Sequence, residues 1–132
     1  MTRTLGWYAQ TAGGELIGAD REYTGVSSDT RTIKPGELFV ALRGARFNAN
    51  EFVGAADTAG AAGAVVDTRL DRTLPQVLVR DTLASLQATS AAWRAQFTLP
   101  VIGVAGSNGK TTCKEMTAAI LARAGATLHT RG

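Results

Sequence analysis

Residues 106–112 read Gly-Ser-Asn-Gly-Lys-Thr-Thr, and the chemistry these types perform together is the holding of phosphate. Gly106 and Gly109 free the backbone to turn its N–H groups toward an oxyanion. Lys110 carries a point charge to terminal phosphates, and the Thr111 hydroxyl is of the type that holds Mg²⁺ beside such a loop. Thr112 stands where a second hydroxyl can donate to a phosphate oxygen. The spacing is GxxGKT: where the general pattern has a glycine five residues before Gly109, this chain has Val104. The alternative is a plain strand-to-helix turn, which needs the glycines but not Lys-Thr-Thr.

The elements that must position this loop are legible on both sides. Val101, Ile102 and Val104 form an apolar run before it, so a strand is expected over 101–105. Cys113, Met116, Ile120 and Ala124 recur at helical steps after it, with Gly125 as the stop. The helix brings its positive dipole end to the loop. A further strand is expected over 126–130. Cys113 reads as a packing residue on the helix stripe, because no histidine lies nearby in sequence to activate it. His129 reads as a strand-end residue, because a metal site needs companions that are absent around it.

Upstream, residues 5–12 carry a short helical pattern (Leu5, Tyr8, Ala9, Ala12) that stops at Gly13-Gly14. Short strands are expected over 15–18, 23–28, 37–42, 64–66 and 76–79. Phe52, Ala55, Ala56 and Ala59 predict a helix over 51–59, with Gly60 at its end. Asp81 is placed to cap a helix whose buried face would be Leu83, Leu86, Ser90, Trp93 and Phe97, ended by Leu99-Pro100. The character of the chain changes near 82/83. Residues 1–82 read as one small mixed α/β domain. Residues 83–132 read as the start of a parallel-sheet domain (strand, phosphate loop, helix, strand) whose apolar faces call for partners not among these residues.

Composition narrows the class. The 132 residues are 45% hydrophobic and 19% charged, which is globular, and no apolar run approaches the ~20 residues of a membrane-spanning helix. The first residues lack the apolar core and small-residue site of a signal peptide, so the cytoplasm is the default expectation. The net charge of +3 comes from scattered basic residues, which reads as a solvated surface rather than a nucleic-acid face. The single cysteine excludes an internal disulfide and fits a reducing compartment.

Two blocks together resemble the Mur ligases of peptidoglycan synthesis. One is residues 105–112, similar to that family's short ATP loop, which also lacks the upstream glycine. The other is Ser28-Asp29-Thr30-Arg31 followed by residues 34–44 (KPGELFVALRG), similar to the family's amino-terminal UDP-binding domain. Arg46-Phe47 and Lys114-Glu115-Met116 lean the resemblance toward the branch that adds D-Ala-D-Ala, with the diamino-acid-adding branch next. Where the family often has Asp-Gly-His or Asp-Ala-His, this chain has Asn48-Ala49-Asn50.

The resemblance implies residues 1–82 as a holder of a UDP-sugar nucleotide and 83–132 as the beginning of an ATP-binding domain. It implies ATP and Mg²⁺ as the cofactors, and UDP-N-acetylmuramoyl-peptide and D-Ala-D-Ala as the small-molecule substrates. The reaction implied phosphorylates the peptide carboxylate and lets the amine attack the acyl phosphate. Gly106, Ser107, Asn108, Gly109, Lys110, Thr111 and Thr112 would bind ATP, with Lys110 catalytic and Thr111 on the metal. Ser27, Ser28, Thr30 and Arg31 would meet a uracil edge or a diphosphate, unless they form a turn satisfied by its own side chains. Arg43, Gly44, Arg46, Phe47 and Asn48 are the next candidates, and Phe47 packs more readily than it stacks on a base. The family's Mg²⁺-holding glutamate, adenine pocket and amine-binding domain are not among these residues. The chain alone is therefore expected not to ligate, and its apolar 99–130 segment is expected to self-associate. A non-catalytic UDP-sugar-binding module is the alternative. A folate-polyglutamylating ligase is disfavoured by the 29–44 block.

Overall fold

The computed structural model describes residues 3–45 and 47–131, so Arg46 lies outside the described residues. The chain divides into two compact units, Met1–Phe97 and Thr98–Gly132.

The first unit is built on a five-stranded sheet. Helix α1 (Leu5–Ala12) starts where the Thr4 hydroxyl accepts the Trp7 N–H, and ends at Gly13, whose φ of 65° is the left-handed cap that glycine adopts without strain. Strands β1 (Glu15–Ile17), β2 (Val26–Ser27), β3 (Leu38–Val40), β4 (Gly63–Val66) and β5 (Gln76–Leu78) lie in the order β1-β5-β4-β3-β2. Pairs β2/β3, β3/β4 and β4/β5 are parallel, and β1 is antiparallel to β5. Helix α2 (Ala49–Thr58) connects β3 to β4, and helix α3 (Thr82–Arg94) follows β5.

A parallel sheet must be covered on both faces, and the two-residue alternation of the strands supplies two apolar surfaces. Leu38, Val40, Val65 and Val77 join Leu5, Tyr8 and Ala9 of α1 in one core. Phe39, Ala41, Ala64 and Val66 join Val53 and Ala56 of α2 in the other. Burying each Val or Leu side chain contributes about 1.5–3 kcal/mol, so these two layers dominate the stability of the unit. Gln76 is buried among them and satisfied: its side chain accepts from the Leu70 N–H and donates to the Leu70 carbonyl, both at 2.9 Å.

Several expectations change here. On α2 the buried residues are Val53 and Ala56, while Ala55 is exposed; the helix starts two residues earlier than expected, capped by the Asn48 side chain. Of the expected stripe, Leu86 and Trp93 are half-buried, Leu83 and Ser90 are exposed, and Phe97 is exposed beyond the end of α3; the buried residues of the helix are Thr82, Ser85 and Thr89. Their hydroxyls are hydrogen-bonded: Thr82 Oγ1 donates to the Ala41 carbonyl, Ser85 Oγ to the Thr82 carbonyl and Thr89 Oγ1 to the Ser85 carbonyl. Tyr8 and Ser85 share a further hydrogen bond of 3.1 Å, and Trp7 meets Trp93 edge-on at 6.1 Å. These contacts place α3 on the first compact unit, Met1–Phe97.

In the second unit the helix forms as expected: α4 (Lys110–Leu121). Residues 101–105 and 126–130 carry no strand pairing, because a strand exists only by hydrogen-bonding a neighbour and no described residue provides one. For the same reason the stripe on α4 is uncovered. Met116 is 61% and Ile120 67% exposed, Cys113 is exposed rather than packed, and Ala118 is the buried residue. His129 stands at no strand end; its Nε2 lies 3.5 Å from Glu115, whose other oxygen is 3.2 Å from the Lys114 ammonium. No helix among the described residues is long and apolar enough to cross a membrane.

The close approach at Gly63 gives a test of the packed layers. A Cβ there would stand 2.9 Å from the Pro75 carbonyl oxygen and 2.8 Å from the Leu5 side chain, whereas one at Gly44 would meet nothing within 4 Å. Gly63→Ala is expected to destabilise the first unit by about 1–3 kcal/mol through overpacking. Gly44→Ala is expected to leave it within ~0.5 kcal/mol. Urea unfolding followed by tryptophan fluorescence measures both.

Candidate functional site

Because β2, β3, β4 and β5 run parallel, their carboxyl ends lie on one edge of the sheet, which is where open α/β sheets bind ligands. The described residues that leave this edge are Ser28 to Arg31 after β2, Leu42 to Ala45 with Phe47 and Asn48 after β3, Asp67 and Thr68 after β4, and Arg80 to Thr82 after β5. The described sequence candidates of the first unit fall at this edge, with Ser27 the last residue of β2.

Their side chains have specific partners. Ser27 Oγ accepts from the Asp29 N–H and donates to the Asp29 carbonyl. Asp29 accepts from the Arg31 backbone N–H at 2.9 Å and grips the guanidinium through Nε and Nη2, the latter at 2.7 Å. The Arg31 guanidinium beside it holds the Asp29 carboxyl down to about 2. The Ser27, Asp29 and Arg31 side chains thus tie this turn together. The pairing leaves Arg31 Nη1 outside the pair with Asp29.

After β3, Arg43 Nε donates to Asp67, and its guanidinium lies 5.7 Å from the centre of the Phe47 ring. Phe47 stacks on Phe52 at 6.1 Å and packs against the second core. Asn48 accepts the Glu51 N–H at 3.3 Å as the cap of α2. Arg43 lines a groove of about 410 Å³ with Leu42, Asp67, Arg80, Asp81, Thr82 and Leu83. Ser27, Ser28, Thr30, Arg31, Phe47 and Asn48 do not line it. Asp67, Arg80 and Thr82 were missed from sequence. The signal that finds them is their position just past the ends of β4 and β5.

The second unit holds the phosphate-loop candidates. Residues 107–109 turn sharply into α4, with Gly106 at φ 151° and Gly109 at φ 73°, both disfavoured for a residue with a Cβ. Gly109 is the cap residue of α4, and no side chain caps this helix, unlike α1, α2 and α3. The orphan N–H groups of the first turn therefore have no side-chain acceptor, Lys110 and Thr111 stand beside them, and a Cβ at Gly109 would meet nothing within 4 Å. Such a cradle fits phosphate oxygens. No group of three His, Cys, Asp or Glu among the described residues is arranged to hold a metal ion.

No protein-family model matches the chain. Among curated proteins, the UDP-N-acetylmuramoyl-tripeptide–D-alanyl-D-alanine ligase of Escherichia coli (strain K12) is 45% identical over 129 residues, 98% of this chain and 28% of that protein. A crystal structure of MurF from Acinetobacter baumannii superposes on all of this chain with a TM-score of 0.88 at 36% identity, using 30% of its own length. MurF ligase from Thermotoga maritima in complex with ADP matches 74% of this chain and 23% of its own, with a TM-score of 0.64 and 27% identity. Sequence and fold thus both relate this chain to the D-alanyl-D-alanine-adding ligases, and it spans about 28% of the length of the Escherichia coli relative.

The Asp29–Arg31 pair makes a direct test of the edge geometry. With a folded value near 2 against an ordinary 3.8, the stabilisation from this carboxylate is present above about pH 4 and lost as pH falls through about 2. In an NMR titration the Asp29 carboxyl is expected to titrate near 2 in the wild type and back toward 3.8 in Arg31→Ala.

Proposed function

We propose that this chain is the amino-terminal portion of a Mur ligase that joins D-Ala-D-Ala to UDP-N-acetylmuramoyl-tripeptide. The first unit holds the UDP end of the substrate, and the second begins the ATP-binding domain. The observation that carries this reading is the Gly-Lys-Thr-Thr loop at the one helix amino end, among α1 to α4, that no side chain caps. The 45% identity to the Escherichia coli ligase across both units supports it.

In this reading the backbone N–H groups of residues 107–110 and the Lys110 ammonium take up the charge of the ATP phosphates. Thr112 donates to a phosphate oxygen, and the Thr111 hydroxyl contributes one ligand to Mg²⁺, which supplies charge neutralisation when bound. The γ-phosphoryl group passes to the terminal carboxylate of the tripeptide, giving an acyl phosphate and ADP. The D-Ala-D-Ala amine then attacks the acyl carbon, phosphate leaves, and an amide remains. Residues that complete the metal shell, the adenine pocket and the amine site belong to the part of such a ligase that these 132 residues do not span. Ser27, Ser28, Thr30 and Arg31, with Arg43, Gly44, Phe47 and Asn48 beyond them, are the proposed UDP-facing set, and a cytoplasmic site of action fits a nucleotide-linked substrate.

Calorimetric titration tests the assignment. UDP-N-acetylmuramoyl-tripeptide and UDP are expected to bind saturably, and ATP more weakly, since α4 is poorly supported. Absence of any UDP binding would overturn the reading. Incubation of the chain with ATP, the UDP-linked tripeptide and D-Ala-D-Ala is expected to yield no pentapeptide product. The exposed Met116 and Ile120 stripe is expected to drive self-association, visible as a concentration-dependent sedimentation coefficient; a constant monomer value would count against it.

A further inference from the structure

We propose that the cleft between α1, α3 and residues 23–26 is a binding site for a single-ring aromatic carboxylate. The rings of Trp7, Tyr23 and Trp93 are its walls, and Arg3 and the Tyr23 hydroxyl are the donors that meet the carboxylate. The cleft has a volume of about 170 Å³. An engineered apolar cavity of about 150 Å³ in another protein takes up benzene, so one ring is the size that fits. It shares no lining residue with the groove past β3, β4 and β5, and none of the residues assigned to UDP or ATP lines it.

The ligand class follows from which polar groups of the cleft are already spent. The Tyr8 hydroxyl is shared with Ser85 at 3.1 Å, and Thr89 Oγ1 donates to the Ser85 carbonyl at 2.9 Å. Tyr23 differs. It is 5% exposed, yet its hydroxyl has no hydrogen-bond partner among the described residues. Every sealed side-chain oxygen and nitrogen among those residues has a partner, so this hydroxyl is not sealed: it opens on the cleft that its ring lines. Burial, with Tyr8 beside it, pushes the phenol up to about 12 against the opposing pull of Arg3, so it is a donor at neutral pH. The Arg3 guanidinium lies 5.0 Å from the centre of the Trp93 ring and 5.9 Å from that of Tyr23. Its Nη2 donates to the Thr24 carbonyl at 2.9 Å, and it has no ion-pair partner among the described residues. No aspartate or glutamate lines the cleft. A hydroxyl donor and an uncompensated cation set among aromatic walls select an anion carried on a flat apolar body. The exposed lining residues are Val26 and Ser90, so the mouth lies between β2 and α3.

Both tryptophans of the chain line the cleft, so their fluorescence reads it directly. Titration with benzoate is expected to change that fluorescence saturably, with a Kd in the roughly millimolar range for so small a ligand. Benzyl alcohol, the same ring without the charge, is expected to bind about tenfold more weakly, and acetate, the charge without the ring, to give no saturation. Tyr23→Phe keeps the ring and removes the hydroxyl, and Arg3→Gln removes the cation. Each is expected to weaken benzoate roughly tenfold. A wild-type response to benzoate that stays linear, like that to acetate, would overturn the site. Benzoate affinity within about twofold of wild type in either folded variant would overturn it as well, and if one variant fails to fold by circular dichroism the other decides. Excess UDP is expected to leave the benzoate curve unchanged. Displacement by UDP would place benzoate in the nucleotide's site and overturn a separate one, whereas failure of UDP to bind at all bears on the ligase reading alone.

Discussion

Parallel pairing of β2 through β5 is the constraint from which the rest of the first unit follows. A parallel pair forces a crossover and needs cover on both faces. The alternation Leu38-Phe39-Val40-Ala41 answers the second demand by sending successive side chains to opposite layers, α1 with α3 on one and α2 on the other. The same pairing gathers four strand ends on one edge, so residues as far apart in sequence as Ser28 and Arg80 leave the sheet on the same side. An antiparallel arrangement of the same strands would have sent alternate ends to opposite edges, and the polar groups would never have met.

What the sequence disclosed and what it hid divide along the line between local and non-local physics. The caps Gly13 and Asp81, the helices α1 and α4, and the strands around Phe39, Val65 and Val77 are set by neighbours in sequence, and they were legible. The face of α3 was not. Hydrophobic periodicity points to Leu83 and Phe97, but the helix buries Thr82, Ser85 and Thr89. Hydroxyls tolerate that burial because each donates to a backbone carbonyl, which removes most of the cost of taking a polar group out of water. The strands expected over 101–105 and 126–130 failed for the opposite reason: apolar composition is local, but a strand is a relation between two segments. Within the site, Gly-Lys-Thr-Thr was readable as a motif, while Asp67 and Arg80 are ordinary residue types that acquire meaning only from the strand ends they follow.

The two candidate sites present positive charge in different ways. At the sheet edge, Arg31 and Arg43 are each neutralised by a carboxylate, Asp29 and Asp67. Pairing weakens long-range attraction for an anion, but it holds the planar guanidinium in one orientation, so less side-chain entropy is lost on binding. Such an arrangement favours discrimination over raw affinity. At the loop, the donors are backbone N–H groups fixed by the helix itself, and the Lys110 ammonium, without an ion-pair partner among the described residues, adds the charge. That arrangement suits a reaction in which charge must be met as it develops on a transferring phosphoryl group.

A backbone cradle is only as rigid as the helix that fixes it. Helix α4 has 12 residues, a length at which an isolated helix is marginal in water, and it begins without a side-chain cap. Its local ties are few: the Lys114 ammonium donates to the Thr130 carbonyl at 2.6 Å, and Glu115 lies between Lys114 and His129. Its apolar stripe contributes nothing while Met116 and Ile120 face solvent. A missing side-chain cap costs helix stability and gains an open anion site, and the two demands are reconciled only when the opposite face of the helix is buried. The exposed stripe and the open amino end are therefore one design. Cover over that stripe would steady the helix that fixes the loop backbone.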